Sequence, residues 1–489
     1  MDCFLGIDLG TSSLKIIAAS ANGEMIGSVN KSFSIISEKE GFSEENPKDW
    51  VKALDAALLE LLAKYPQLKI NTRALSFSGQ MHSLVLIDKT GEPIRNAILW
   101  NDTRTSEEVK FLNNNFKNHL LNKEKNIALE GFTLPKILWI QKHEPNNWEK
   151  TFKFMMPKDF LVYYLTEKVN TDYSDASGTL MLQIEERSWD KELLADLKIE
   201  LKKCPQIVSS DAIVGKVKSI LKEKYGFAQD VDVVMGGADN ACGALGNISE
   251  EKQGLLSVGT SGVVLYYSND PAGQIGKYHY FNSAIDGKDY KMGVTLSAGY
   301  SLDWYKKTFL PNQSFDEVSK LAENSKIGSN GITFLPYLFG ERSPHYNPKL
   351  FAEIIGIRAH HNLSDITRAV MEGISFSLLD VYENMEEQQK KTIKVFRITG
   401  GVIKNPFWIQ MFADIFKTEI ETIAMEEGPA FGALLLAISA ETNETFDKIW
   451  ARFTKIKQKY FPIEENVGKY QTSYQRYLLY SRELNEKNK

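Results

Sequence analysis

The chain has 489 residues, length for two to four domains, and its 43% hydrophobic and 25% charged content is that of a globular protein. A formal net charge of −5 argues against nucleic acid as a partner, because such chains carry a basic stripe. No apolar run reaches the roughly 18 residues of a membrane span, and the longest, Phe431 to Ala440, is interrupted by glycine and serine.

The opening Met1-Asp2-Cys3-Phe4 has no basic segment before its apolar stretch, which speaks against a secretory signal. Phe4 to Ile7 and Leu14 to Ala18 read as strands joined by a tight polar turn, a hairpin. Trp50 to Lys64 reads as a helix with Val51, Leu54, Leu58, Leu61 and Leu62 on one face. Ala74 to Phe77 and Leu84 to Ile87 read as strands around Gly79-Gln80-Met81-His82. A second hairpin pattern, Leu255 to Tyr266 around Gly259-Thr260-Ser261-Gly262, returns about half a chain after the first. This predicts two halves of like architecture, each with one phosphate loop. A helix over Ile366 to Val381, a strand Val395 to Thr399 ending at Gly400-Gly401, a helix from Pro406 and a charged tail helix from Tyr470 complete the pattern. The order is α/β, with sheets covered by helices. The expected domains are 1–246 and 247–489. Cys3, Cys204 and Cys242 have neither zinc spacing nor a disulfide framework, and predict buried thiols in a reducing cytoplasm.

Phosphoryl transfer needs donors for the phosphates, a carboxylate-held metal and a base for the attacking hydroxyl. The chain has no Walker loop and no protein-kinase signature set. In the first hairpin, Asp8 stands at a strand end, placed to order a hydrated Mg²⁺. Gly10, Thr11, Ser12 and Ser13 offer backbone and hydroxyl donors, and Lys15 adds positive charge. The same residues also suit a plain hairpin turn. Gly236-Gly237-Ala238-Asp239-Asn240 follows the apolar strand Val231 to Met235 and opens a helix of small residues, which let a ligand approach closely. Asp239 is the candidate general base with Asn240 as polar neighbour; taken alone, it would serve equally as a helix N-cap. His82 alone would read as a half-buried structural histidine. His119, His143, His279, His360 and His361 read as surface or structural.

Taken together, these segments resemble the FGGY family of carbohydrate kinases, whose fold is shared with actin, hexokinase and the heat-shock chaperone ATPases. The resemblance runs in order along nearly the whole chain: Gly6-Ile7-Asp8-Leu9-Gly10-Thr11-Ser12, Gly131 to Trp139, Gly259 to Gly262, Ala352 to Glu372, and Gly400-Gly401 with Asn405. It implies two actin-like (ribonuclease H-like) ATPase domains with a nucleotide and sugar cleft between them. ATP and Mg²⁺ are implied, with phosphates at Gly10 to Ser13 and at Gly259 and Thr260, and adenosine at Gly400, Gly401 and Asn405. Asp239 matches the family's catalytic aspartate, and Met81 and His82 its sugar contacts. Gln80-Met81-His82, Leu99 to Arg104, Met156 to Asp159, Ser174 to Thr179 and Gly340 to His345 resemble the branch acting on D-xylulose, implying phosphorylation at O5. Gluconate, ribulose and glycerol stay open as acceptors, Arg104 being the residue that would meet a sugar acid. A non-catalytic nucleotide sensor on the same fold is the alternative from another class, opposed by the presence of both Asp8 and Asp239. Val402 and Ile403 stand where the family has a third glycine and alanine, which leaves the nucleotide preference open. The expected partners are a small sugar and ATP, without nucleic acid or membrane. A homodimer is one assembly open to the chain, and the expected location is the cytoplasm.

Overall fold

The apolar run Cys3–Leu9 (β1) is buried along its length and turns back through Gly10, whose N–H donates to Ser13 O at 3.0 Å, into Ser13–Ser20 (β2). The computed structural model describes residues 1–248, 252–271, 274–385, 393–425 and 427–488. They belong to two units, neither continuous in sequence. Unit 1 comprises Met1–Ser249, Phe281–Asp289 and Glu427–Thr454; unit 2 comprises Glu250–Tyr280, Tyr290–Glu426 and Lys455–Lys489.

Unit 1 carries a six-stranded sheet. After β1 and β2 come Met25–Ser32 (β3), Thr72–Gly79 (β4), Ile213–Lys216 (β5) and Asp232–Ala238 (β6), in the spatial order β5-β6-β4-β1-β2-β3. β4 runs parallel to both β1 and β6, so the three strands release their chains at the same sheet edge. The carboxyl end of parallel strands is where open α/β sheets bind ligands. The predicted first helix spans Pro47–Lys64, one turn longer than the apolar face suggested. Asn46 Oδ1 accepts from Lys48 N at 3.0 Å and Pro47 occupies a first-turn position where no N–H is needed. Its buried face includes Trp50, while Val51 is only half-buried.

The long apolar run resolves as the helix Pro429–Thr442, buried from Ala430 to Ile438 against this same sheet. Close approach explains its small residues. A Cβ on Gly6 would lie 2.2 Å from Ala430 O, and one on Gly432 would lie 2.0 Å from Cys242 O. A side chain at Gly6 would force the helix off the sheet, and one at Gly432 would force it off the helix Asp239–Asn247.

Unit 2 repeats the hairpin-plus-parallel-strand plan. Its sheet contains Gln253–Val258 (β7), Gly262–Tyr267 (β8), His279–Asn282 (β9), Asp289–Thr295 (β10), Val395–Gly400 (β11), Glu419–Ile423 (β12) and Ile456–Tyr460 (β13), ordered β9-β10-β8-β7-β11-β12-β13. β7 and β8 form the second hairpin, and β11 lies parallel to β7 with Val258 opposite Gly400. The helix expected over Ile366 to Val381 extends over Leu363–Met385, and the tail helix over Glu464–Lys487. All three cysteines are buried and unpaired. Among the described residues, no helix is long and apolar enough to cross a membrane.

Candidate active site

In unit 1, the register places Asp8 beside Ser78 of β4 and Ser78 beside Gly237 of β6. The β4–β6 pairing slips between Val234 and Gly237, and Gly236 takes φ +76 there. A Cβ on Gly236 would lie 1.8 Å from Phe77 O, so only glycine fits. Past this bulge, Asp239 begins the helix Asp239–Asn247. The cap position belongs to Ala238, and no side chain caps it. A simple N-cap role for Asp239 therefore does not describe what its carboxylate does. Its Oδ1 instead accepts from Asn240 N at 2.7 Å and Asn240 Nδ2 at 2.9 Å, and Asn240 Nδ2 also reaches Met81 Sδ at 3.5 Å.

Enclosure by protein pushes the Asp239 carboxyl up to about 7, with the negative charge of Asp8 adding to the rise and the Asn240 donors opposing it. Burial pushes Asp8 up to about 6 against Ser78 and Lys15. Asp8 Oδ1 is buried without a hydrogen-bond partner. Two neighbouring carboxylates, one with an unpartnered buried oxygen, are the hard donor set of a divalent cation. Lys15 forms an ion pair with Glu427.

His82 occupies the left-handed region at φ +68, and its Nδ1 lies 2.6 Å from Gly178 O. A carbonyl only accepts, so Nδ1 carries a proton, and in the neutral ring Nε2 is the acceptor. Thr133 Oγ1 donates to His82 O at 2.9 Å, and the ring packs edge-on against Phe132 at 4.9 Å. A Cβ on Gly178 would sit 2.9 Å from both His82 Nδ1 and Met81 Cε, so glycine is required beneath the pair.

A buried ionic cluster supports this edge. Lys158 Nζ lies 2.7 Å from Asp159 Oδ1, 2.9 Å from Asp172 Oδ1 and 3.2 Å from Asp175 Oδ2, all four side chains being fully buried. Asp172 Oδ2 accepts from Ser210 Oγ at 2.8 Å and from Ser174 Oγ. Ser174 Oγ in turn accepts from Ala238 N at 2.9 Å. The cluster thus holds the peptide that precedes Asp239. A second chain of bonds reaches the first phosphate loop. Glu45 Oε2 accepts from Trp50 Nε1 at 2.7 Å and Gln80 Nε2 at 3.1 Å, Ser83 Oγ donates to Gln80 Oε1 at 3.2 Å, and Trp100 N donates to Ser83 Oγ at 3.0 Å. Trp100 Nε1 then donates to Thr11 Oγ1 at 3.0 Å.

In unit 2, the ends of β7 and β11 open a pocket of about 500 Å³ lined by Gly259, Thr260, Tyr300, Gly401, Val402 and Asn405, among others. Gly259 O accepts from Gly299 N at 2.8 Å and Thr260 O from Ala298 N at 3.0 Å, which pins the loop to the start of the helix Gly299–Phe309. Gly400 has φ +95, and a Cβ there would lie 2.5 Å from Val258 O. Gly401 has open space around it. Val402 is buried in the pocket wall, and Asn405 caps the helix Pro406–Phe416, its Oδ1 accepting from Trp408 N at 3.1 Å.

The family model for the FGGY carbohydrate kinase N-terminal domain matches residues 3–246, and that for the C-terminal domain matches residues 254–441. The chain belongs to the FGGY family of carbohydrate kinases. The xylulose kinase of Bacillus subtilis (strain 168) is 42% identical over 480 residues, 98% of this chain and 96% of that one. The solved structure of a ligand-bound xylulose kinase from Lactobacillus acidophilus superposes with a TM-score of 0.93 at 27% identity, covering 99% of this chain and 98% of that one. A gluconate kinase from the same organism gives 0.94 at 27% identity, covering 100% and 99%. FGGY kinases take ATP as cosubstrate.

Within this FGGY chain, Asp8, Met81, His82, Asp239 and Asn240 lie on the strand ends of one sheet edge in unit 1, as do Gly10 to Ser13 and Lys15 in the adjoining hairpin. Gly259, Thr260, Gly401 and Asn405 line one pocket in unit 2, with Gly400 at the end of β11. The fully buried Lys158 cluster and the aromatic pocket residues Tyr300, Phe315 and Trp408 were not among the predicted site residues. Sequence offered a partial signal for the first, the Lys158-Asp159 pair inside an otherwise apolar helix, and none for the second.

Proposed function

We propose that this FGGY kinase transfers the γ-phosphate of ATP to O5 of D-xylulose, with Asp239 as general base. The carrying observation is the Asp239 carboxyl, raised toward neutrality and tied through Asn240 to Met81 in a chain 42% identical to a xylulose kinase. A base with such a pKa accepts a hydroxyl proton near pH 7. Met81 and Asn240 would contact the sugar, and His82 Nε2 would accept from one of its hydroxyls. Asp8 would hold the Mg²⁺ shell, the cation supplying charge neutralisation to the phosphates. Gly10 to Ser13, Lys15, Gly259 and Thr260 would serve the phosphates, and Gly400, Gly401 and Asn405 the adenosine. Unpaired buried cysteines suit a reducing cytoplasm.

The state of Arg104 favours a neutral ketose over a sugar acid. Its guanidinium is bound to Asp102 Oδ2 at 2.7 Å and Glu44 Oε1 at 2.7 Å and is stacked 3.7 Å from Phe42, with a side chain only 2% exposed. An arginine already serving two carboxylates is not available for a third. The specificity constant for D-xylulose should exceed those for gluconate, ribulose and glycerol in a coupled assay of ADP formation. A higher value for any of those three would overturn the substrate assignment.

Asp8→Asn should raise the Mg²⁺ concentration needed for half-maximal turnover by at least tenfold and leave sugar affinity within about twofold. Titrating Mg²⁺ in the kinase assay and D-xylulose in a calorimeter separates the two effects. Lost sugar affinity with an unchanged Mg²⁺ requirement would contradict the division of labour.

A further inference from the structure

We propose that His119, Glu124 and Asp190 in unit 1 form a binding site for a first-row divalent transition-metal ion, with zinc as the best match. None of these residues belongs to the constellation around Asp239. His119 lies on the short helix Lys117–Lys123, Glu124 follows directly at its C-terminus, and Asp190 caps the helix Lys191–Asp196. One donor atom from each lies within 4.8 Å of the other two.

The burial of the acids is what demands an explanation. Glu124 and Asp190 are both fully buried side by side, and among the described residues no N–H or hydroxyl of another residue donates to either oxygen of Glu124. Two carboxylates side by side out of water need a cation or a proton between them. The neighbouring lysines are committed elsewhere: Lys123 pairs with Glu186 at 3.7 Å and Lys125 with Glu185 at 2.8 Å. His119 Nε2 lies 2.6 Å from Asp190 Oδ2 and faces the same space.

The donor set fits zinc in kind and in number. An imidazole nitrogen with two carboxylates selects a first-row transition metal over Mg²⁺ or Ca²⁺, which favour all-oxygen shells. Zinc–ligand bonds of about 2.0–2.2 Å set ligand atoms roughly 3.3 Å apart in a tetrahedron. The three donor atoms, all within 4.8 Å of one another, lie near that spacing. Asp190 is already oriented, because its Oδ1 accepts from Glu192 N and Leu193 N, both at 3.0 Å, and presents Oδ2 to the site. His119 keeps 23% of its side chain exposed, which gives the ion an entry and water a fourth position.

Calorimetry with ZnCl₂ on the full chain, in excess Mg²⁺ to occupy carboxylates elsewhere, should show one site with Kd below about 10 μM. Glu124→Gln keeps the side-chain shape and a donor toward Asp190; it should weaken zinc at least 30-fold and leave kcat unchanged. Absence of zinc binding by the parent, or equal affinity in Glu124→Gln, overturns the site. Co²⁺ gives a reading on the parent protein that needs no variant. An intense visible band of four-coordinate cobalt is expected, and only the weak band of six-coordinate cobalt would overturn the proposal.

Discussion

Asp239→Asn should lower kcat by roughly 10²–10⁴, the usual worth of a positioned general base, in a chain that melts at or above the temperature of the parent. The substitution keeps an oxygen able to accept from Asn240 N, so the local geometry survives while the proton acceptor is lost. Stability should move the other way from activity. The Asp239 carboxyl rises from the ordinary 3.8 to about 7 in the fold, chiefly through burial and secondarily through Asp8. A raised acid destabilises the fold wherever the unfolded chain would be ionised. The penalty is absent below about pH 4, grows between 4 and 7, and is complete above 7. At about 1.4 kcal/mol per unit its ceiling is about 4 kcal/mol, reduced by the carboxyl's partial access to solvent and by any cation at Asp8. Thermal melts of parent and Asp239→Asn should therefore diverge as pH rises from 4 to 8. The acid limb of kcat/KM in the parent should fall away below about pH 7, since Asp239 must be ionised to take the proton. A variant with kcat within a few-fold of the parent would sink the catalytic assignment, whatever its melting temperature.

Local chemistry made much of the fold legible and little of its support. The two hairpins can be read because glycine, threonine and serine interrupt apolar runs, which leaves the chain few ways to fold back. Asp239 can be read because small residues after a buried strand signal a close approach, and the bulge at Gly236 carries that out. What could not be read is anything set by distant meetings. Phe431 to Ala440 announces burial, yet nothing local says that it will lie on the sheet built from Cys3–Leu9. Asn405 reads as a nucleotide contact only through the family resemblance, and the structure gives its Oδ1 to Trp408 N and Ser319 Oγ. Arg104 reads as the residue that would meet a sugar acid, were the acceptor one, until Glu44, Asp102 and Phe42 are seen around it. Lys158 is the sharpest case. Met156 to Asp159 reads as part of a family segment, and nothing local says that the three carboxylate partners of Lys158 lie at 159, 172 and 175.

Lys158→Met should destabilise unit 1 by about 3–5 kcal/mol, the cost of stripping the counter-charge from buried ions. Methionine fills the space of the lysine stem, so the loss reports charge rather than a cavity. Burial alone would pull the Lys158 ammonium down; Asp159, Asp172 and Asp175 together hold it well above its usual range. Asp175 shows the complementary effect: burial carries its carboxyl well above the ordinary range even with Lys158 beside it. One ammonium does not balance three carboxylates, and burial disfavours the charge on Asp175 strongly. Asp175→Asn should accordingly cost less than Lys158→Met, because it removes surplus buried negative charge instead of the counter-charge. The Lys158→Met loss should shrink as pH falls toward 5, where the stranded acids take up protons in the fold and no longer bury charge. The folded fraction of Lys158→Met should also turn over more slowly, since Asp172 and Ser174 would lose their hold on Ala238 N, the donor directly before Asp239. Urea titrations of both variants at pH 5 and pH 8 measure the stability changes, and kinase assays of the folded protein measure the turnover. A Lys158→Met protein as stable as the parent at pH 8, or an Asp175→Asn protein as damaged as Lys158→Met, would show that the cluster does not carry the charge pattern argued for it.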